Sequence, residues 1–180
     1  MNKVRNSEVQ DTIQSIQKCL RSAQNFFYYH EENQLKNTDQ RGWNSVEYIE
    51  HFNLIIYHQI EVMKSVENSS KGILLPKIIR TAVDKLSYSY LLRKKEKEIF
   101  FKIFIPVSVS NPGVQLNAQK VFEDLIYGGE EIIQLASNKK TLNKIVIDPK
   151  IPGFITLQKK LQFIADYMNE IIERCKALVK

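Results

Sequence analysis

A chain of 180 residues with 43% hydrophobic and 26% charged residues, six glycines, five prolines and two cysteines is long enough to bury about 70% of the surface that its unfolded form exposes, so one core needs no staple. The same composition excludes disorder, collagen and a disulfide scaffold. The net charge of +6, from 26 Lys and Arg against 20 Asp and Glu, would point to an anionic partner only if the cations shared a face. They are mostly dispersed. The dense run, Arg93-Lys94-Lys95-Glu96-Lys97, lies near a predicted helix end, where cations suit the macrodipole. No nucleic-acid motif accompanies it, so no nucleic-acid partner is expected. The opening Met1-Asn2-Lys3-Val4-Arg5 lacks the apolar stretch of a secretory leader. No segment approaches the ~20 apolar residues of a membrane helix. A cytoplasmic location without a membrane partner is the expectation, with a single domain over residues 1–180.

In chain order, Val9, Ile13, Ile16, Leu20, Ala23 and Phe27 recur in steps of four and three, the seam of a first amphipathic helix. A second opens after Trp43, where Asn44 caps and Glu47 closes a capping box. Its apolar face is Ile49, Phe52, Ile56, Ile60 and Met63, over about residues 45–68. Residues 71–112 form a long crossover: Gly72 and Pro76, a short helical pattern (Ile78, Ile79, Ala82, Val83, Leu86), then an aromatic and β-branched run over residues 99–105. That run is predicted to be an isolated extended segment, since one strand without a partner makes no sheet. Asn111-Pro112-Gly113 marks a turn. Ala118, Val121, Phe122, Leu125, Ile132, Ile133 and Ala136 then define a third helix, with Gly128-Gly129 inside it. Adjacent glycines cost about 1 kcal/mol each relative to Ala, so the helix kinks there or something packs closely on its backbone. Residues 148–153 break the chain again. From Thr156 the fourth helix follows Leu157, Leu161, Ile164, Met168, Ile171, Cys175 and Leu178. The predicted fold is all-α: a four-helix bundle with one long crossover between helices two and three.

Phosphate-binding glycine loops, a Gly-x-Ser-x-Gly elbow and a His-Glu-x-x-His are all missing from the sequence. Bundle enzymes commonly build their site from inward His and carboxylates around a metal, so the three histidines matter most. His51 and His58 are seven apart on one helix face, hence ~10 Å apart along the axis, too far to share one ion. His58, and His30 beside Tyr28 and Tyr29, read as hydrogen-bonded or surface imidazoles. Cys19 and Cys175 lack partners at metal or redox spacing and read as small buried hydrophobes.

His51 stands in Trp43-Asn44-Ser45-Val46-Glu47-Tyr48-Ile49-Glu50-His51-Phe52. This stretch resembles the opening of helix two in the DinB-like (YfiT-like) superfamily: a Trp, a small polar cap, an apolar run, and a His eight residues after the Trp. Pro152-Gly153-Phe154-Ile155-Thr156-Leu157 is similar to the segment before that family's last helix. The resemblance implies an up-down-down-up bundle, often dimeric. It also implies a divalent metal held by the helix-two His and a His-x-x-x-His pair on helix four, serving thiol-dependent transferases and related metalloenzymes. In this chain Tyr167 and Ile171 occupy the pair's positions, so only His51 carries over.

Asp166 and Glu170 are four apart, and in principle both could join His51 as a His-carboxylate-carboxylate metal set. Against this, Glu170 is spaced to pair with Arg174, and Asp166 lies off the core line of Ile164, Met168 and Ile171. The expectation is a divergent DinB-like protein with a decayed metal site, serving as a small-molecule-binding or homodimeric interaction protein, the dimer most simply isologous. A ligand is expected in a cavity near His51, Trp43 and Tyr167. No cofactor is expected. The alternative is a thiol transferase or hydrolase using Zn or Ni through His51, Asp166 and Glu170; no catalytic residue is assigned.

Overall fold

The computed structural model describes the chain except residues 1, 69–71, 112, 138 and 152; for residues 2–7, 139 and 140 only the backbone is described. Pro112 and Pro152, both in predicted breaks, and Lys71, which opens the predicted crossover, lie outside the described residues. The chain is mostly helical. In order it forms α1 (Asn2–Tyr29), α2 (Glu32–Leu35), α3 (Ser45–Glu67), α4 (Lys77–Glu96), α5 (Ile99–Ile103), α6 (Val107–Ser110), α7 (Ala118–Ala136), α8 (Lys139–Leu142), β1 (Ile145–Val146), β2 (Ile155–Thr156) and α9 (Leu157–Leu178). No helix among the described residues is long and apolar enough to cross a membrane.

Local chemistry sets the helix starts. Asn44 accepts from the Glu47 N–H while Glu47 accepts from the Asn44 N–H, so two orphan donors at the start of α3 are satisfied. Asn117 caps α7 through the Lys120 N–H, and Thr156 caps α9 through the Lys159 N–H. Helices α1 and α3 each pack against both α7 and α9. Cross-contacts fix the directions. Asn53 bonds the Val121 carbonyl, Tyr57 bonds the Asp124 carbonyl and Lys64 pairs with Glu131, so α3 and α7 run parallel. Ser45 reaches Cys175 and His51 reaches Tyr167, so α3 and α9 run antiparallel.

The glycine pair has a packing cause. A Cβ on Gly128 would sit 2.8 Å from Ile56 Cγ2, and one on Gly129 would sit 2.6 Å from Leu20 Cδ2. Helix α7 therefore lets α3 and α1 approach its backbone from two sides, and the helix continues unbroken through both residues. Cys19 and Cys175 are buried, as their spacing predicts.

Two features of the predicted crossover need correction. The short helix is the 20-residue α4. The segment expected to be extended is instead the helical turn α5. Phe100, Phe101 and Phe104 are all buried, and a helical turn can turn these three inward, whereas alternation along a strand would send Phe101 to the opposite side from the other two. Helical bonds also satisfy backbone groups that an unpartnered strand would leave open, so burial overrides the β-type composition. A two-residue antiparallel pair, β1–β2, sets Ile145 opposite Thr156 and Val146 opposite Ile155, a contact too short to leave a periodic signal in the sequence.

Candidate functional site

His51 projects from α3 into the space between α3, α5 and α9 and is fully buried. Its Nδ1 lies 2.6 Å from the Phe104 carbonyl oxygen. A carbonyl only accepts, so Nδ1 carries the proton and Nε2 is the acceptor. Tyr167, from α9, donates its O–H to Nε2 at 2.8 Å. The imidazole stacks on Phe101 with ring centres 4.5 Å apart and meets Trp43 edge-on at 5.7 Å. Burial, the dominant influence, pulls the His51 pKa from 6.5 down to about 4, and Arg174 adds to the lowering against the opposing bond to Phe104. At neutral pH the ring is uncharged with both nitrogens engaged. Burial likewise pushes the Tyr167 phenol well above its usual range, so its proton stays in place.

The expected cavity residues Trp43 and Tyr167 do gather around His51, yet Phe101 fills the space between them and all three are buried. Phe101 itself lies under two guanidiniums, Arg41 at 5.0 Å and Arg174 at 5.6 Å from its ring centre. Arg41 pairs with Glu98, whose φ of 55° is left-handed backbone at the α4–α5 junction. An ion pair and two cation–π contacts thus hold α5 over the histidine.

The two carboxylates considered as partners of His51 are engaged elsewhere. Asp166 accepts the hydroxyl proton of Tyr88 from α4. Glu170 pairs with Lys95 at 2.8 Å and Arg174 at 3.1 Å; burial would raise its carboxyl, but these two cations hold it below the usual range. Among the described residues no three His, Cys, Asp or Glu side chains gather to hold a metal ion.

No family model, curated protein or solved structure matches the chain.

A second polar cluster was not predicted. Asp148, in the loop before β2, is buried with Lys160 of α9 and Gln59 of α3. Its Oδ2 accepts from Lys160 Nζ at 3.0 Å and Gln59 Nε2 at 2.9 Å; its Oδ1 accepts from His58 Nε2 at 2.9 Å and from the N–H groups of Lys150 and Ile151. Burial alone would raise this carboxyl, but the Lys160 ammonium and the donors from His58 and Gln59 hold it far below the usual range. The pair is ionised and closed to solvent. It pins the loop at Asp148, Lys150 and Ile151 to α3 and α9, so its role is anchorage, and His58 is a hydrogen-bonded imidazole here. A signal was present: Lys160 follows Leu157 by three and precedes Ile164 by four, while Gln59 follows Ile56 by three and precedes Met63 by four. Both polar residues occupy core-facing helical positions, which demands a buried counterpart. His30 is accounted for locally, its Nδ1 lying 2.7 Å from the Phe26 carbonyl.

Proposed function

We propose that the chain is a divergent DinB-like bundle of up-down-down-up topology that no longer uses a metal, and that it acts as an interaction protein associating with copies of itself. The packing of α1 and α3 on both α7 and α9, with α3 parallel to α7 and antiparallel to α9, supports the topology. The observation that carries the functional reading is the Tyr167 hydroxyl on His51 Nε2. Donation of Nδ1–H to a backbone carbonyl is how a metal-ligating imidazole is normally oriented, and His51 keeps that bond. The lone pair that would reach a metal accepts the Tyr167 proton instead. The residues present do not fit a divalent ion: one imidazole with an occupied lone pair, and two carboxylates committed to Tyr88, Lys95 and Arg174. This disfavours the alternative of a metal-dependent transferase or hydrolase. With Phe101 filling the space beside His51, small-molecule binding there is also disfavoured, and outer surfaces become the working parts.

A thermal-shift titration with Zn2+ and Ni2+ tests this. The expected result is a melting temperature unmoved by either ion or by a chelator, in the wild type and in His51→Ala alike. Saturable one-to-one stabilisation that disappears in His51→Ala would overturn the reading.

A further inference from the structure

Helix α4 buries Leu91 but otherwise meets the fold largely through polar groups. Its inward side is tied down by polar groups: Asp84 accepts from the N–H and hydroxyl of Thr156, Ser87 bonds the Phe154 carbonyl, Tyr88 bonds Asp166 and Lys95 pairs with Glu170. Its outward side carries Ile78 (86% exposed), Ala82, Leu86 (73%) and Tyr90 (43%). These four recur every fourth residue along ~18 Å of helix, with Ile79 beside them. Such a stripe is the anchor pattern of a helix that docks in a groove. Exposed Lys85, Arg93 and Lys97 flank this side together with Glu96, which leaves it net positive.

The α1–α7 seam offers the complementary shape. A groove of about 610 Å3 runs between these helices, with Phe27, Phe122, Ile126 and Tyr127 for walls, Glu123 and Glu130 on its α7 side, and no cation among its lining residues. Phe27 and Gln119 also line a neighbouring hollow of about 550 Å3. From Gln119 to Glu130 the α7 wall measures ~17 Å, close to the length of the α4 stripe. The charges also match in spacing. Glu123 and Glu130 lie ~10 Å apart along α7, and Lys85 and Arg93 lie ~12 Å apart along α4.

We propose that α4 of one copy seats in the α1–α7 groove of the next, head to tail. This rests on reading the chain as self-associating and supplies the surfaces that do it. Pairing of α4 with another α4 would bring together two faces that are both net positive, which is unfavourable, whereas the groove presents carboxylates. Helix α4 packs on α9, α5 and β2, away from the α1–α7 seam. One pair of copies therefore makes one such contact and leaves one groove and one α4 free, a heterologous arrangement that extends beyond a dimer.

Sedimentation velocity on the full chain tests it with two variants altered only at exposed positions, Ile78→Glu/Leu86→Glu on α4 and Tyr127→Lys/Glu130→Lys on the groove, each first shown by circular dichroism to melt as the wild type does. The wild type is expected to form species larger than a dimer with rising concentration and to dissociate at high salt. Each variant alone is expected to be monomeric. Mixed one to one, they should form a complex that stops at two chains, because only one intact α4 and one intact groove are left. A monomeric wild type at all concentrations would overturn the proposal, as would a groove variant that still dimerises alone. A monomeric wild type that floats with phosphatidylserine vesicles, when Ile78→Glu/Leu86→Glu does not, would assign α4 to a lipid surface and equally overturn it. A monomeric wild type would overturn the self-association reading as well, whereas a groove variant that still dimerises alone would leave that reading standing and overturn only this choice of surfaces.

Discussion

Lowering the pH from 7.5 to 4.5 should weaken the fold through His51 in particular. The folded protein holds this ring neutral with a pKa of about 4, against 6.5 for an exposed imidazole. Between those values the unfolded chain binds a proton that the folded chain does not, so stability falls as the pH falls through that window and levels off for this group below about 4. Worked through the linkage relation, the loss between pH 7.5 and 4.5 is roughly 2–3 kcal/mol, a sizeable share of the stability of an ordinary domain. The perturbation that isolates it is His51→Gln, which cannot titrate. Urea unfolding of both proteins at half-unit pH steps gives the slopes directly. The variant starts less stable, since its amide reproduces the bonds to Phe104 and Tyr167 imperfectly, but the wild type should lose roughly 2–3 kcal/mol more than the variant across the interval. Asp148 titrates below the window in both proteins and cancels. Parallel curves for the two proteins would refute the reasoning, because they would mean that His51 is solvated or charged in the folded state.

Three further substitutions probe the packing around the site. Tyr167→Phe leaves Nε2 of His51 buried without its donor and should cost about 1–3 kcal/mol in urea unfolding; a variant as stable as the wild type would deny the bond its role. Lys160→Met leaves Asp148 buried without its ammonium partner and should cost about 3–5 kcal/mol, with Asp148→Asn/Lys160→Met recovering part of that loss. Fully additive losses in the double variant would count against a coupled pair. Gly129→Ala forces a methyl to within 2.6 Å of Leu20 Cδ2. The overpacking, about 1–3 kcal/mol, should outweigh the ~1 kcal/mol of helix propensity gained, and adding Leu20→Ala should make the combined loss less than the sum. A Gly129→Ala protein more stable than the wild type would contradict the close approach of α1.

The long helices were legible because their apolar residues repeat at the helical period and their caps are local. Asn44 with Glu47, and Thr156 before Leu157, announce α3 and α9 from neighbouring residues alone. The α5 turn was not legible: Ile99 to Ile105 has strand-like composition, and its helical form follows from burying Phe100, Phe101 and Phe104 against residues distant in sequence. Helix α4 misleads for a related reason, since its apolar periodicity is real but faces outward, held by Asp84, Tyr88 and Lys95, whose partners lie on β2 and α9. At the site, the position of His51 beside Tyr167 could be reached by aligning α9 with the helix-four pattern it resembles. The closure of that space by Phe101, and the diversion of Asp166 and Glu170 to Tyr88, Lys95 and Arg174, depend on where the crossover docks, which periodicity does not encode. Lys160 and Gln59 did leave a trace, as polar residues at core-facing positions whose common partner, Asp148, sits in a loop.

The most direct measurement of the central claim is elemental analysis of protein purified without an affinity tag, side by side with His51→Ala. The structure's pairing of His51 Nε2 with the Tyr167 hydroxyl predicts divalent metal far below one ion per chain in both samples. One equivalent of a divalent metal in the wild type that is absent from His51→Ala would contradict it and restore His51 as a ligand.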